Sequence, residues 1–311
     1  MQSASLPLLS HHTLTSLSKI TTETRRLFHG RGRCFEGLEH ITVDWLQGQV
    51  LVSLFKQPTD EFLLALKETL KHWPDTEQWQ SSECTSLLLQ YRYQQSSQIE
   101  CLWGKHQTQQ LIIENGLTYK LDLERNQNSG LFLDMRLGRK WVQENSQNKR
   151  VLNLFSYTCG FSVAALAGNA EYVVNLDMAK SVLNRGRENH RLNEHDLSKV
   201  SFFGHDIFKS WGKIKKYGAY DLIVIDPPTF QKGSFAITKD YQKILRRLPE
   251  LLATDGQVLA CVNDPTLSSQ FLMDGMLAEA PSLRFKSRLE NPAEFPDIDP
   301  ESGLKALIFQ S

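Results

Sequence analysis

Tyr220-Asp221-Leu222-Ile223-Val224-Ile225-Asp226-Pro227-Pro228-Thr229-Phe230 is the stretch from which the rest of the chain can be read. Its four consecutive aliphatics describe a strand buried on both faces, as in a parallel sheet covered by helices. The strand stops abruptly at a carboxylate and two prolines. Pro227 and Pro228 donate no hydrogen bond and fix the chain direction. Their carbonyls and that of Asp226 are left to accept from a planar base, and Phe230 can stack on it.

Outward from this strand, apolar runs at 151–155, 172–176, 200–203, 257–262, 284–287 and 306–310 alternate with helical periodicity at 160–168, 179–193, 236–253 and 266–280. Such alternation predicts βαβ units and a mostly parallel, doubly wound sheet. Ligands of such sheets bind at the carboxyl ends of the strands, so the residues following each strand are the candidates. After the first comes Asn153-Leu154-Phe155-Ser156-Tyr157-Thr158-Cys159-Gly160, a polar turn into an apolar helix whose free N–H groups can hold a carboxylate or phosphate. It carries a single glycine, which counts against the G-x-G-x-x-G fingerprint of a nicotinamide or flavin oxidoreductase. The second strand ends at Asp177-Met178, where an acid either accepts from ribose hydroxyls or caps the next helix. The third leads to His205-Asp206, with Asp206 either an acceptor for an adenine amino group or a cap, and His205 an ordinary surface histidine.

Ahead of this region, 41–45 and 50–54 alternate as a hairpin about Gln47-Gly48-Gln49. A helix follows over 61–73, then strands at 86–93, 110–114 and 117–121, the last two joined by the turn pair Asn115-Gly116. The segment 131–142 reads as a short strand leading into a helix. We expect an N-terminal extension at 1–34 with a loosely attached helix, a small α+β domain at 35–122, and the α/β domain at 123–311. Arg25, Arg26, Arg31 and Arg33 crowd nine residues around two glycines. They read either as a solvated loop or as a phosphate-gripping loop that contacts RNA.

The chain has 35 Lys+Arg against 35 Asp+Glu, so no overall basic field draws it to nucleic acid and any RNA contact must rest on local patches. Five scattered cysteines without a C-x-x-C pair argue against a metal cluster or a disulfide framework. With no secretory signal and no apolar run of bilayer length, the expectation is a cytoplasmic protein with no metal and no membrane partner.

Asp-Pro-Pro-Thr-Phe, Asn-Leu-Phe-Ser-Tyr-Thr and Gly130-Leu131-Phe132-Leu133-Asp134-Met135-Arg136 together resemble the bacterial large-subunit ribosomal RNA base methyltransferases of the RlmI and RlmK kind. The resemblance covers about residues 25–311. It implies a Rossmann-like class I methyltransferase sheet with an antiparallel last strand, preceded by the small α+β domain, with S-adenosylmethionine as cofactor and ribosomal RNA as partner. Carried over by position, Asn153, Phe155, Tyr157, Thr158 and Gly160 would cradle the methionine end. Asp177 and Met178 would hold the ribose, Asp206 the adenine, and Asp134 and Arg136 would close over the cofactor. Asp226, with Pro227, Pro228 and Phe230, would lie between cofactor and base. Cys159 departs from the usual glycine, and its Cβ is expected to crowd the methionine moiety or to resist a positive φ.

Within the resemblance, methylation of cytosine carbon-5 needs a cysteine that adds to the ring, whereas a ring nitrogen such as guanine N7 needs only positioning. Asp264 stands where the cysteine of the cytosine enzymes follows the fifth strand, and Cys261 lies about three residues too early. Nitrogen is therefore the expected target. The alternatives are the cytosine reaction and a non-catalytic RNA-binding or assembly factor that kept the fold.

Overall fold

The computed structural model describes residues 1–20, 22–94, 98–124, 128–231 and 235–311. It divides into two compact units, Met1–Leu133 with Pro292–Asp299, and Asp134–Asn291 with Pro300–Ser311.

In the first unit, strands β1 (Arg25–His29), β2 (Ile41–Leu46), β3 (Gln49–Leu54), β4 (Ser86–Tyr91) and β5 (Gln98–Gly104) form one sheet in that order. β2 and β3 are the expected hairpin, turning on Gln47 and Gly48, both at positive φ. β3 and β4 run parallel, which requires a crossover. Helices α2 (Asp60–Lys71) and α3 (Glu77–Gln80) supply it, α2 being started by the Thr59 side chain, which accepts from the Phe62 N–H. Strands β6 (Gln109–Glu114) and β7 (Leu117–Asp122) make a separate hairpin through Asn115 and Gly116, again both at positive φ.

Residues 1–34 are no detached extension. Helix α1 (Leu6–Leu17) buries Leu6, Leu9 and Leu17 in the same core as Trp45, Trp73 and Trp79. Each such side chain contributes about 1.5–3 kcal/mol by leaving water. The expected boundary at 122 also shifts: the first unit extends to Leu133 and takes in a later loop, Pro292–Asp299.

In the second unit a seven-stranded sheet has the order β10-β9-β8-β11-β14-β16-β15. Its strands are β8 (Arg150–Leu154), β9 (Tyr172–Asp177), β10 (Val200–Gly204), β11 (Tyr220–Ile225), β14 (Leu252–Val262), β15 (Arg284–Leu289) and β16 (Lys305–Gln310). Two short strands, β12 (Phe230–Gln231) and β13 (Phe235–Ala236), pair apart from it. The first five strands are parallel, and β16 runs antiparallel to β14 as expected.

β11 is central, and its aliphatics divide by the two-residue period of a strand. Ile223 and Ile225 face a core with α7 (Trp211–Tyr217), α8 (Ile237–Leu245), α9 (Leu248–Leu251) and α10 (Gln270–Glu279). Leu222 and Val224 face another with α4 (Arg136–Glu144) and α5 (Gly160–Ala167). Helix α6 (Lys180–Leu192) links β9 to β10. The chain winds outward from β8 to β10 and then returns to β11, so the topological switch lies between β8 and β11. Two expected elements differ. The segment before α4 is a 3-10 turn, Leu133–Met135, rather than a strand, and the helix expected over 236–253 is divided between α8 and α9, the second having Pro249 in its first turn.

Candidate functional site at the strand ends of the second unit

The turn after β8 is strained on purpose. Phe155, Tyr157 and Cys159 all sit at positive φ, at 56°, 46° and 62°. Each such non-glycine residue costs about 1–2 kcal/mol, and surrounding structure must hold it there. Asp177 does so at the end of β9. One of its carboxylate oxygens accepts the Tyr157 N–H (2.9 Å) and the other the Ala179 N–H (2.9 Å). Asn189 of α6 donates to the Thr158 carbonyl from below (3.0 Å). Burial raises the Asp177 carboxyl above its ordinary value, while the two N–H donors pull it back.

A small, open cleft lies beside this turn, lined by Phe155, Asp177, Met178, Asp206, Ile207, Phe208, Gln231 and Phe235. Three of its eight lining residues are aromatic, with the Phe155 and Phe235 rings edge to face at 4.8 Å. Both readings of Asp206 meet here. One of its oxygens accepts the Phe208 N–H at 2.9 Å, which is a cap, and the residue also lines the cleft. A carboxylate offers about four acceptor positions. Asp177 commits two of them and Asp206 one to backbone N–H groups, with the Lys209 ammonium 3.9 Å from the other Asp206 oxygen, so both retain acceptor capacity. Two carboxylates beside aromatic rings can accept from hydroxyl and amino donors.

Asp226 ends β11 and is half-buried; Pro227 behind it is buried, while Pro228 and Phe230 are exposed, Phe230 at 67%. Burial first, and then the neighbouring Asp134 carboxylate, push the Asp226 carboxyl up to about 7, against the opposing pull of Arg139. Asn263, just beyond β14, donates to Asp134 (3.5 Å), and its carbonyl accepts from Thr229 (3.5 Å). The fully buried ammonium of Lys305 donates to the carbonyls of Asp264 (2.7 Å) and Glu301 (2.9 Å), so the loop after β14 is tied to the start of β16.

The structure therefore brings together Phe155, Asp177, Met178 and Asp206 at the cleft, with Tyr157 bonded to Asp177 through its N–H, and Asp134 with Asp226 at the end of β11. Arg136 opens α4 and Gly160 opens α5. The side chain of Asn153 does not reach the cleft: it is buried and donates to Asn175 (2.9 Å), in a line that continues through Ser162 to His190. Thr158 is also buried and meets α6 through its carbonyl. Cys159 does take the positive φ foreseen for that position, but its thiol is buried and packs against Gly186 of α6. Arg139, Asn263 and Lys305 were not legible as site residues. A buried arginine inside a helix and a lysine opening a strand carry no motif; they stand out only once their neighbours are known.

The arginine cluster belongs to the first unit, and its four members do not lie on a single loop. Arg25 and Arg26 lie in strand β1. Arg26 pairs with Asp44 (2.5 Å) and stacks on Phe295 (4.6 Å); Arg25 pairs with Glu23 (2.9 Å) and Glu294 (3.5 Å); Arg33 pairs with Asp297 (3.3 Å). Three of the four thus brace this unit internally. Among the described residues no group of three or more His, Cys, Asp or Glu side chains could hold a metal, and no helix is long and apolar enough to cross a membrane.

A parallel sheet closed by a reversed strand, with acids after its second and third strands and Asp-Pro-Pro after the fourth, defines a class I methyltransferase. The family model described as S-adenosylmethionine-dependent methyltransferase matches residues 25–310, and the chain belongs to that family. Its cofactor is S-adenosylmethionine. The chain is similar to the ribosomal RNA large subunit methyltransferase I of Aeromonas salmonicida, 36% identical over 182 residues that cover 57% of this chain and 46% of that protein. It is also similar to the protein of the same name from Aliivibrio fischeri, 29% identical over 271 residues, covering 84% and 68%. The chain thus spans between about half and two thirds of the length of these relatives. In fold it resembles a crystal structure of a putative methyltransferase complexed with SAH, with a TM-score of 0.85 and 24% identity over 98% of this chain and 80% of that one.

Proposed function

We propose that this protein methylates a ring or amino nitrogen of a base in large-subunit ribosomal RNA, guanine N7 being the favoured atom. The observation that carries the reading is the end of β11, where the half-buried carboxyl of Asp226 is followed by the exposed Pro228 and Phe230, a ring on which a base can stack. The names of the curated relatives support the substrate class.

Asp177 would accept from the ribose hydroxyls and Asp206 from the adenine amino group. The N–H groups of the 155–160 turn and of the α5 N-terminus would receive the methionine carboxylate. Arg136 and Asp134 would close over the methionine end. When bound, the cofactor supplies an electrophilic methyl group on a sulfonium. The protein's part is to align a nucleophilic lone pair with it, and positioning of this kind supplies several kcal/mol of a barrier. Alkylation of N7 leaves a positive charge on the purine, which the adjacent carboxyls of Asp134 and Asp226 would stabilise.

The cytosine-C5 alternative needs a thiolate at the base. Cys261 lies inside β14 opposite Ala306, fully buried, with its thiol pushed well above its ordinary value, chiefly by burial. The test is mass-spectrometric comparison of nucleosides in large-subunit ribosomal RNA from cells with and without the protein. Loss of one methylated purine is the expected result; loss of 5-methylcytidine alone, or an unchanged profile, would refute the assignment.

A further inference from the structure

Strand direction gathers cationic groups at one end of the five-stranded sheet. β1 ends where β2 begins, since His29 pairs with Thr42, and β2 begins where β3 ends, since Ile41 pairs with Leu54. β3 and β4 are parallel, with Leu54 opposite Tyr91, so both finish at that same end. The residues just outside these four strands are therefore neighbours: Arg31 after β1, His40 before β2, Phe55 and Lys56 after β3, and Arg92 after β4. Backbone bonds tie them together, from Phe55 N–H to the His40 carbonyl (2.9 Å) and from Arg92 N–H to the Leu54 carbonyl (2.9 Å).

Two guanidinium groups share one ring. The Arg31 carbon lies 4.4 Å and the Arg92 carbon 5.0 Å from the centre of Phe55. The ring attracts both cations and orients them, although they repel each other. Arg31 and Lys56 are exposed, and Arg92, His40 and Phe55 half-buried. His40 reports the local field. Its pKa is lowered, first by burial and then by Lys56, the N-terminal ammonium and Arg31, with Glu39 alone acting the other way.

We propose that this end of the sheet, formed by Arg31, His40, Phe55, Lys56 and Arg92, is a docking surface for the phosphodiester backbone of single-stranded RNA. The inference rests on the reading of the protein as an RNA methyltransferase. A phosphate beside the shared ring would meet two guanidiniums that the ring and, for Arg92, the Asn128 side chain (3.0 Å) already orient. Guanidinium planes also receive unstacked bases.

The experiment measures binding of a fluorescein-labelled single-stranded RNA of mixed sequence by anisotropy, over a salt series, with the full chain. The variants are R31Q/R92Q, F55L, and the charge-matched control K19Q/K71Q in the same unit. Transfer of labelled methyl groups to unmodified large-subunit RNA is followed in parallel. R31Q/R92Q is expected to flatten the slope of log affinity against log salt by about 1.4, which is about 0.7 for each of two phosphate contacts. Cofactor binding and melting temperature should stay unchanged. F55L should weaken RNA binding with both charges still present, because the guanidiniums lose their platform. If wild type binds RNA and transfers methyl groups but R31Q/R92Q keeps the control's slope, the surface is refuted and the function stands. If wild type neither binds RNA nor transfers to it, both fall together.

Discussion

The side chain of Cys159 fills the space that any side chain at Gly186 would need: a Cβ at Gly186 would stand 2.9 Å from the Cys159 Cβ and closer still to its sulfur. Cys159 caps α5 in the left-handed region, a conformation that glycine adopts without cost. Its thiol points into the interface with α6, and the glycine at 186 is what accommodates it. Cysteine and glycine have in effect divided one volume between loop and helix.

Gly186→Ala should therefore cost about 1–3 kcal/mol by overpacking. Cys159→Gly relieves the backbone strain but leaves a gap. The two changes together should be more stable than the sum of their separate effects, with a coupling of about 0.5–3 kcal/mol, since they share one space. Urea unfolding of the four proteins measures this; strict additivity would mean that the volumes do not compete.

Asp177 and Asp206 should separate in their effect on cofactor affinity. Asp177 holds two N–H groups, one of them on the strained turn, whereas Asp206 caps only a 3-10 turn at Phe208. A hydrogen bond to a charged group is worth about 1.5–3 kcal/mol. Asp177→Ala should then weaken S-adenosylmethionine binding by tenfold or more and lower the melting temperature as well. Asp206→Ala should weaken binding with a smaller stability loss. Calorimetric titration against melting curves tests the split, and wild-type affinity in both variants would remove the cofactor from this cleft.

Much of this site could be read from the sequence because acids after strands and a double proline are local signals. The alternation of strands and helices followed from the periodicity, and the reversed last strand from the family resemblance. The first unit was less legible. Arg25 and Arg26 look like a basic loop in one dimension, and only the register of β1 against β2 brings Asp44 beside Arg26. Phe295 and Asp297, which meet Arg26 and Arg33, come from more than 260 residues further along. The burial of α1 is not legible either, because a short Leu-rich helix among serines and histidines gives no hint of the core that covers it.

Asp226 offers a pH test. Its carboxyl titrates near 3.8 when unperturbed and at about 7 in the folded chain, so between those values the folded state holds the extra proton. Folding stability attributable to this group is therefore retained at low pH and falls as pH rises through the window from about 4 to about 7. Asp226→Asn cannot ionise. Its stability relative to wild type should climb from pH 5 to pH 8, while cofactor affinity is kept and methyl transfer falls by about 100-fold through misplacement of the base. Chemical denaturation at the two pH values gives the first quantity and single-turnover assays the second. A difference in stability that does not change with pH would place the carboxyl in open solvent.

Cys261 decides the reaction type. Carbon-5 of cytosine becomes nucleophilic only after a thiolate adds to the ring, so an enzyme of that kind needs a cysteine sulfur within reach of the base and a pKa that permits ionisation. Cys261 meets neither condition. It sits within β14, opposite Ala306 and in the core that holds Leu222 and Val224, and Asp226 and Asp134 add to the burial that disfavours its thiolate. Its carbonyl accepts from the buried Tyr241 hydroxyl at 3.1 Å, which anchors the strand there rather than freeing it. Cys261→Ala should therefore transfer methyl groups at close to the wild-type rate. It should lose only modest stability, about 1 kcal/mol for one small buried group. RNA carrying 5-fluorocytosine should give no covalent complex with wild type. A trapped adduct that disappears in Cys261→Ala would reverse the choice of nitrogen over carbon, and would require β14 to open far enough for its sulfur to meet the base.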